Sequence, residues 1–87
     1  MEVTTITFEE FKDMLSESGH DSEESNCLEA MVQFADQYNS DFQGKDDRGN
    51  PTKAKVEGNT VIISYVESSE FSEGDIDGII ESFFDEL

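Results

Sequence analysis

The chain has 87 residues, of which 22 are Asp or Glu and only five are Lys or Arg, so its formal net charge is −17. This length fits one folded unit, and we expect a single acidic domain over residues 1–87. The negative charge disfavours direct binding to nucleic acid or to an anionic membrane, because both would repel the chain. The partner that this charge favours is a basic protein.

The sequence carries no sign of export or membrane insertion. No segment approaches the roughly 18 consecutive apolar residues of a membrane span. The N-terminal stretch MEVTTITFEEF lacks the basic region and apolar core of a signal peptide. The single cysteine, Cys27, rules out an internal disulfide and fits a reducing cytosol. We therefore expect a cytoplasmic protein.

The first part of the chain predicts a strand followed by a helix. Residues 3–6 (VTTI) are β-branched and fit a short strand. Thr7 can then cap a helix over residues 8–17, with Glu10 reaching back as in a capping box. Apolar residues recur within that helix at three- and four-residue spacing, which is typical of an amphipathic helix.

A second helix is predicted from about residue 23 to residue 39, where the apolar face is broad. Asp21 or Ser22 is placed to cap its start. Residues 40–51, SDFQGKDDRGNP, are rich in turn-forming residues and predict a loop.

Residues 52–57 and 60–67 predict a β-hairpin, because they flank Gly58-Asn59, a two-residue turn signal. Pairing across that turn gathers the apolar side chains on one face of the hairpin. The residues of that face are Ala54, Val56, Val61, Ile63 and Tyr65.

Ser72 can cap a third helix, in which apolar residues form one stripe. The stripe contains Ile76, Ile79, Ile80, Phe83 and Leu87. The predicted order of elements is therefore β-α-α-β-β-α. That order predicts an α+β fold in which three helices pack on a small antiparallel sheet, formed by the hairpin with or without the strand at residues 3–6.

Carboxylates recur at every fourth residue on two of the predicted helices. The first row is Glu9, Asp13 and Glu17; the second row is Glu73, Asp77, Glu81 and Asp85. Like charges at this spacing destabilise a helix by roughly 0.2–0.5 kcal/mol per pair, so a sequence chosen for stability alone would alternate them with Lys. Near the backbone these carboxylates are roughly 5–6 Å apart, a distance comparable in scale to that between successive phosphates of a nucleic acid.

We therefore predict that both rows contact a partner, and that Phe84, which falls beside the second row, is a candidate aromatic anchor. A solvated face, made acidic for solubility or for a saline cell, is the alternative. The bases are gathered elsewhere: residues 45–55 hold four bases and two acids, a net +2, whereas the other 20 acids and one base give −19.

Two further interpretations concern cofactors. Glu73, Asp75, Asp77 and Gly78 resemble positions 1, 3, 5 and 6 of an EF-hand calcium loop, but Phe84 stands at position 12, where a chelating Glu is required. The Asp-Ser pair at residues 21–22, ahead of an acidic helix, resembles the acyl carrier proteins. That resemblance implies a phosphopantetheine arm on Ser22, although the predicted hairpin has no place in that all-helical fold.

No catalytic signature is present. His20, Asp21 and Ser22 are adjacent in sequence, whereas the members of a hydrolase triad converge in space. Cys27 falls on the apolar face of the second helix and is expected to be buried. No spacing of Cys and His indicates zinc. We expect neither an enzyme nor a bound metal or other cofactor.

In size, charge and class, the chain resembles the small acidic proteins of bacteriophages that imitate DNA, of which anti-CRISPR and anti-restriction inhibitors are the best-known examples. The resemblance covers the whole chain and involves no shared motif. It implies an inhibitor, monomeric or homodimeric, that occupies the basic nucleic-acid-binding surface of a host defence complex. An immunity protein or antitoxin that neutralises a basic nuclease toxin is the alternative, because it also covers a cationic surface.

Overall fold

The computed structural model describes residues 1–87 and contains three helices and one three-stranded antiparallel sheet. In chain order the elements are β1 (Glu2–Thr7), α1 (Phe8–Glu17), α2 (Glu24–Phe42), β2 (Lys53–Glu57), β3 (Thr60–Tyr65) and α3 (Glu73–Glu86). The strands lie side by side in the order β1-β3-β2. The predicted α+β fold and the β-α-α-β-β-α order are confirmed.

Side chains in their first turns determine where α1 and α3 begin. The Glu10 N–H donates to Thr7 Oγ1 (3.3 Å), and the Thr7 hydroxyl donates to Glu10 Oε1 (3.0 Å). The Glu10 carboxylate thus accepts from the Thr7 hydroxyl, whereas in a capping box it would accept from the backbone N–H of Thr7. At α3 the Ser72 N–H donates to Asp75 Oδ2 (2.8 Å), which completes a capping box. The predicted bounds of α1 and the Ser72 cap are confirmed.

Helix α2 begins at Glu24, as expected from the predicted start at about residue 23, but it ends later than the predicted residue 39. Its N-cap is Glu23, and Asp21 Oδ1 instead accepts from the Glu23 N–H in the preceding turn (3.1 Å). The prediction that Asp21 or Ser22 caps this helix is therefore wrong. At its other end α2 continues to Phe42, because that ring packs edge-on against Phe71, with 5.7 Å between ring centroids. Packing of this ring outweighs the local preference for a turn.

The hairpin turns at Gly58-Asn59, as predicted. Only the first turn residue, Gly58, has a positive φ (61°), as a type II′ turn requires. The strand register is also the predicted one, with Ala54 opposite Ile63. Both strands are slightly shorter than predicted, and β3 ends at Tyr65.

The sheet has one covered face and one open face. The covered face contains Ile6, Ala54, Val61, Ile63 and Tyr65, all of them buried in the core. The open face contains Val3, Thr5, Lys53, Lys55 and Glu57, which are exposed, and Thr60, Ile62 and Ser64, which are half-buried. Because the buried side chains of all three helices belong to the same core, the helices lie on the covered face.

Aromatic rings connect the three helices to one another. Phe11 of α1 is fully buried, and its ring centroid lies 6.3 Å from that of Phe34 on α2 and 4.9 Å from that of Phe84 on α3. Phe34 also meets Phe83 of α3 edge-on at 5.2 Å. Such ring pairs contribute about 0.5–1.5 kcal/mol beyond the burial of their area. The four rings therefore form the centre of the helical layer.

A side chain of α2 closes the outer edge of β2. Asn39 Nδ2 donates to the Ala54 carbonyl oxygen (2.7 Å), and the Ala54 N–H donates to Asn39 Oδ1 (2.8 Å). The side-chain amide thus occupies the place that the backbone of a further strand would take. Lys53 and Lys55 on the same strand also discourage the addition of a strand there.

Replacing Asn39 with alanine removes both of these hydrogen bonds and leaves two backbone groups of Ala54 without a partner. We expect Asn39→Ala to lower the free energy of unfolding by about 1–3 kcal/mol, as measured by urea denaturation. Ser40→Ala, at an exposed position of the same helix, is the control and should change it by less than about 0.5 kcal/mol. A loss at Asn39 no larger than the loss at Ser40 would contradict this role of the amide.

Candidate functional site

The carboxylates of both rows are exposed on regular helix. At about 100° of rotation per residue, the first row lies on the side of α1 opposite the buried Phe11 and Leu15. The second row lies along one flank of α3, beside the buried stripe that includes Ile76 and Ile80. Both rows are therefore accessible to another molecule.

Few of the acidic side chains have a base near them. The chain contains two ion pairs, Arg48 with Glu70 (2.6 Å) and Lys55 with Glu57 (3.2 Å), and all four side chains are exposed. No carboxylate of either row belongs to these pairs. Because no ion pair neutralises these carboxylates, neighbouring members of a row repel one another.

Acidic and basic residues occupy different parts of the molecule. Lys53 and Lys55 lie on the open face of the sheet, where they are paired with Ser64 and Ile62 of β3. Two more bases lie in the loop between α2 and β2, and Lys12 is the only base on a helix. The helical side of the molecule is therefore strongly negative, whereas the β2 edge is locally positive.

Four carboxylates act electrostatically on the Tyr65 hydroxyl at the end of β3. Burial raises the pKa of the Tyr65 hydroxyl, and the negative charges of Glu73, Glu67, Glu2 and Asp77 raise it further. Glu2 is the β1 residue paired with Tyr65, whereas Glu73 and Asp77 begin the second row. We call these four residues the Tyr65 cluster. The cluster extends the second row toward the edge strand β1.

Glu2 and Glu67 are absent from the site predicted from sequence. The pattern of residues 3–6 predicts a strand that can join the sheet, but it does not indicate which strand it pairs with or in what register, so the position of Glu2 cannot be predicted from it. The pairing of β1 with β3 brings Glu2 beside Tyr65. A signal could have been found in the alternation of Thr4 and Ile6, which matches the apolar face of β3.

Phe84 is not a surface anchor, and that prediction is wrong. The residue is 5 % exposed, and its ring centroid lies 4.9 Å from that of Phe11 and 5.5 Å from that of Phe83. Phe84 falls on the helix between the apolar stripe and the second row, so its sequence position is compatible with either environment. Contact with Phe11 of another helix decides in favour of the core.

A groove of ≈ 480 Å³ lies between α2 and α3. Its apolar floor consists of Phe34, Tyr38, Ile79 and Phe83, and its acidic rim contains Asp41, Asp75 and Glu86. A groove of this kind can hold the aliphatic part of a Lys or Arg side chain while the rim binds the charged head group. It is not predicted from sequence, because its two walls are far apart in the chain and meet only through tertiary packing.

Asp46 has a structural environment in the loop that precedes β2. The side chain is buried, and its Oδ1 accepts from the N–H groups of Arg48 (2.9 Å) and Asn50 (3.0 Å). Its Oδ2 has no hydrogen-bond partner within the chain. These bonds order the loop, and nothing in the structure explains the unpaired Oδ2.

Neither alternative cofactor interpretation fits the fold. The residues that resemble a calcium loop form the regular helix α3 from Glu73 onward. No group of three or more His, Cys, Asp or Glu side chains converges where a metal ion could be held. Ser22 precedes α2 in a chain with three strands, whereas the carrier-protein fold is all-helical.

Cys27 is fully buried, as predicted. Burial raises the pKa of its thiol, and the nearby Lys12 only partly offsets that effect. The thiol donates a long hydrogen bond to the Phe8 carbonyl oxygen (3.8 Å). Because the thiolate is the nucleophilic form, this environment favours an inert cysteine.

No protein-family model, no curated protein and no solved structure matches the chain. None of the three helices combines the length and the apolar character that crossing a membrane requires.

The two tyrosines should make stability fall at alkaline pH. Burial raises the pKa of Tyr38 and Tyr65 above the ordinary value of 10.0, so the folded state holds these protons more tightly than the unfolded state. The stabilisation of the folded state by these two protonated hydroxyls is fully present below pH about 10. It is lost as the pH rises through the folded-state pKa values. We expect the free energy of unfolding to fall above pH about 10 in denaturant titrations. The fall should be smaller in Tyr65→Phe, and an equal fall in both proteins would contradict this assignment.

The second row should weaken α3 measurably. Glu81→Lys converts the repulsion with Asp77 and Asp85 into attraction, and we expect the free energy of unfolding to rise by about 0.5–1.5 kcal/mol at low salt. The gain should shrink in about 1 M NaCl, which screens exposed charges. Asp36→Lys is the matched control, because it makes the same charge change at an exposed α2 position without an acid three or four residues away. Equal gains would assign the effect to net charge and not to the row.

Proposed function

We propose that the protein is an inhibitor that imitates the charge of a nucleic acid and occupies the basic DNA- or RNA-binding surface of a host defence complex, as anti-CRISPR and anti-restriction proteins do. The observation that carries this proposal is the second row, whose four exposed carboxylates are regularly spaced and unpaired with any base of the chain. The protein acts in the cytoplasm, as a monomer or homodimer, and without a cofactor.

The geometry of the second row supports this role. Each step of four residues advances about 6 Å along the helix axis, so the carboxylates from Glu73 to Asp85 span about 18 Å. A nucleic-acid strand also presents a regular series of negative charges on a stiff support. Lys and Arg side chains that normally hold phosphates would pair with these carboxylates, and Arg can do so through two parallel hydrogen bonds.

The groove between α2 and α3 adds a means of selection. Electrostatic attraction speeds association and favours basic partners in general, but it discriminates poorly among them. The apolar floor at Ile79 and Phe83 would accept only a side chain of suitable length and shape. Charge rows and groove together support a protein partner, because a small cation would use neither the length of the row nor the apolar floor.

The uncompensated placement of the acids also supports binding over solubility alone. None of the three helices has a base in its last turn, where a cation would stabilise the helix. Acids scattered without repetition would keep the chain soluble without placing carboxylates at i, i+4 spacing. A basic partner would neutralise the rows and thereby relieve their repulsion.

Affinity capture from a nuclease-treated bacterial lysate tests the proposal. We expect the immobilised protein to retain proteins with basic nucleic-acid-binding surfaces, and we expect double-stranded DNA or guide RNA to displace them. Combining Asp77→Lys with Glu81→Lys should reduce capture by about tenfold or more, because the same partner now faces like charge. The matched control combines Glu24→Lys with Asp36→Lys, which changes the net charge equally on α2.

Each outcome of this experiment has a distinct meaning. Retained proteins that lack a basic surface and are not displaced by nucleic acid would refute the proposal. Equal losses in the two double variants would assign capture to net charge and not to the second row. Retention of a single nuclease, whose activity is then lost, would replace the proposal with an immunity protein or antitoxin.

A further inference from the structure

The two edges of the sheet are protected very differently. The β2 edge is closed by Asn39 and flanked by Lys53 and Lys55. The β1 edge lacks most of the usual safeguards: the strand contains no Lys and no Pro, its pairing with β3 is continuous, without a bulge, and its one charged residue is Glu2 at its start. An open edge of this kind is a template for an additional strand.

The hydrogen-bond pattern identifies which backbone groups of β1 are open. Both backbone groups of Ala54 point away from β3, so its partner Ile63 directs its own N–H and C=O toward β1. Ile63 pairs with Thr4, so Thr4 is bonded within the sheet. The N–H and C=O groups of Val3 and Thr5 therefore point outward. No hydrogen bond within the chain uses them.

The side chains around this edge leave it accessible. Val3 is 57 % exposed, and Thr5 is also exposed. Both side chains lie on the open face of the sheet, where Val3 is paired with Ser64 of β3. The edge thus offers four unpaired backbone groups with an exposed aliphatic side chain next to them.

Charge selects the occupant of the edge. β1 begins at Glu2, which belongs to the Tyr65 cluster with Glu67, Glu73 and Asp77. A strand that carries Lys or Arg at the end beside Glu2 would gain attraction there in addition to its backbone hydrogen bonds. A second copy of this chain would bring another −17 against the same cluster. Repulsion therefore disfavours pairing between two β1 strands.

We propose that β1 binds an extended segment of the partner, with Lys or Arg at the end that meets Glu2, as a fourth strand of the sheet. This inference rests on the proposed function in taking a basic protein as the partner. The backbone groups of Val3 and Thr5 form the hydrogen bonds, and the Tyr65 cluster binds the basic end. Because Glu73 and Asp77 belong both to this cluster and to the second row, one partner engages the edge and the row together.

A synthetic peptide provides a direct probe. The peptide alternates Thr and Val over five residues, carries one Lys at each end and has blocked termini. Its comparison peptide has the same sequence with N-methylated valines, which keep the charge but lose backbone donors. We expect titration of the ¹⁵N-labelled protein to shift the amide resonances of Val3 and Thr5 and to protect them from exchange. The N-methylated peptide should bind with an affinity that is lower by about tenfold or more.

Proline substitution tests the same edge from the protein side. Thr5→Pro removes an outward N–H that makes no bond within the chain, and proline is tolerated on edge strands in that position. We expect this variant to stay folded by circular dichroism and to bind the peptide about tenfold more weakly, whereas Thr5→Ala should bind like the parent protein. Val3→Pro is a second variant with the same expectation, in case Thr5→Pro is unstable.

Absence of peptide binding, or binding that leaves Val3 and Thr5 unperturbed, would overturn the inference, and so would full binding by the proline variants. Sedimentation in about 1 M NaCl, which screens the repulsion between copies, tests whether a second copy of the chain occupies the edge. A dimer that Thr5→Pro dissociates would show that it does. The titration needs no captured protein, so its failure leaves the capture experiment on the charge rows standing. Failure of that capture experiment likewise leaves the peptide result intact.

Discussion

Three helices that each carry an excess of carboxylates lie together on one face of a small sheet, and aromatic packing holds them there. Phe11 stands where they meet, with its ring against Phe34 of α2 and Phe84 of α3. Repulsion between the helices favours separating them, and neither of the two exposed ion pairs joins one helix to another. Apolar burial is not weakened by like charge at the surface, so a chain of −17 can still fold.

This division between an aromatic interior and an acidic exterior explains why the acids remain unpaired. Stability comes from rings that point inward, so the outward positions of α1 and α3 are free to carry charge of one sign. Four of the five bases lie instead on β2 and its preceding loop, and only Lys12 lies on a helix. Lys55 pairs with Glu57 of its own strand, and Arg48 pairs with Glu70 of a loop. No ion pair within the chain therefore competes with a partner for the rows.

Local patterns predicted most of the fold. Thr7 and the spacing of Phe8, Phe11 and Leu15 define α1 within ten consecutive residues, and Gly58-Asn59 fixes the hairpin register because a two-residue turn allows few alternatives. The largest error in an element boundary arose where a distant contact decided the outcome. The last turn of α2 depends on Phe42 meeting Phe71, which lies beyond the hairpin.

In the candidate site, too, local features could be predicted from the sequence and features that depend on distant contacts could not. The two rows are a property of single helices, so their spacing and exposure could be predicted from the sequence. Phe84 lies between the apolar stripe and the acidic row, and only its contact with Phe11 shows that it is core. The α2–α3 groove and the position of Glu2 each depend on two segments far apart in sequence. Such features have no local signature, because either segment alone fits several arrangements.

The edge strands connect the fold to the proposed function. A three-stranded sheet necessarily has two edges. In this protein only the β2 edge is closed, by the side chain of Asn39 from α2. The open edge, β1, begins beside the Tyr65 cluster, which continues the carboxylates of α3. Charge can attract many basic proteins, whereas backbone pairing requires a segment that can become extended. The open β1 edge and these carboxylates lie on one side of the molecule. Binding would therefore be restricted to basic partners that also contain a segment able to become extended.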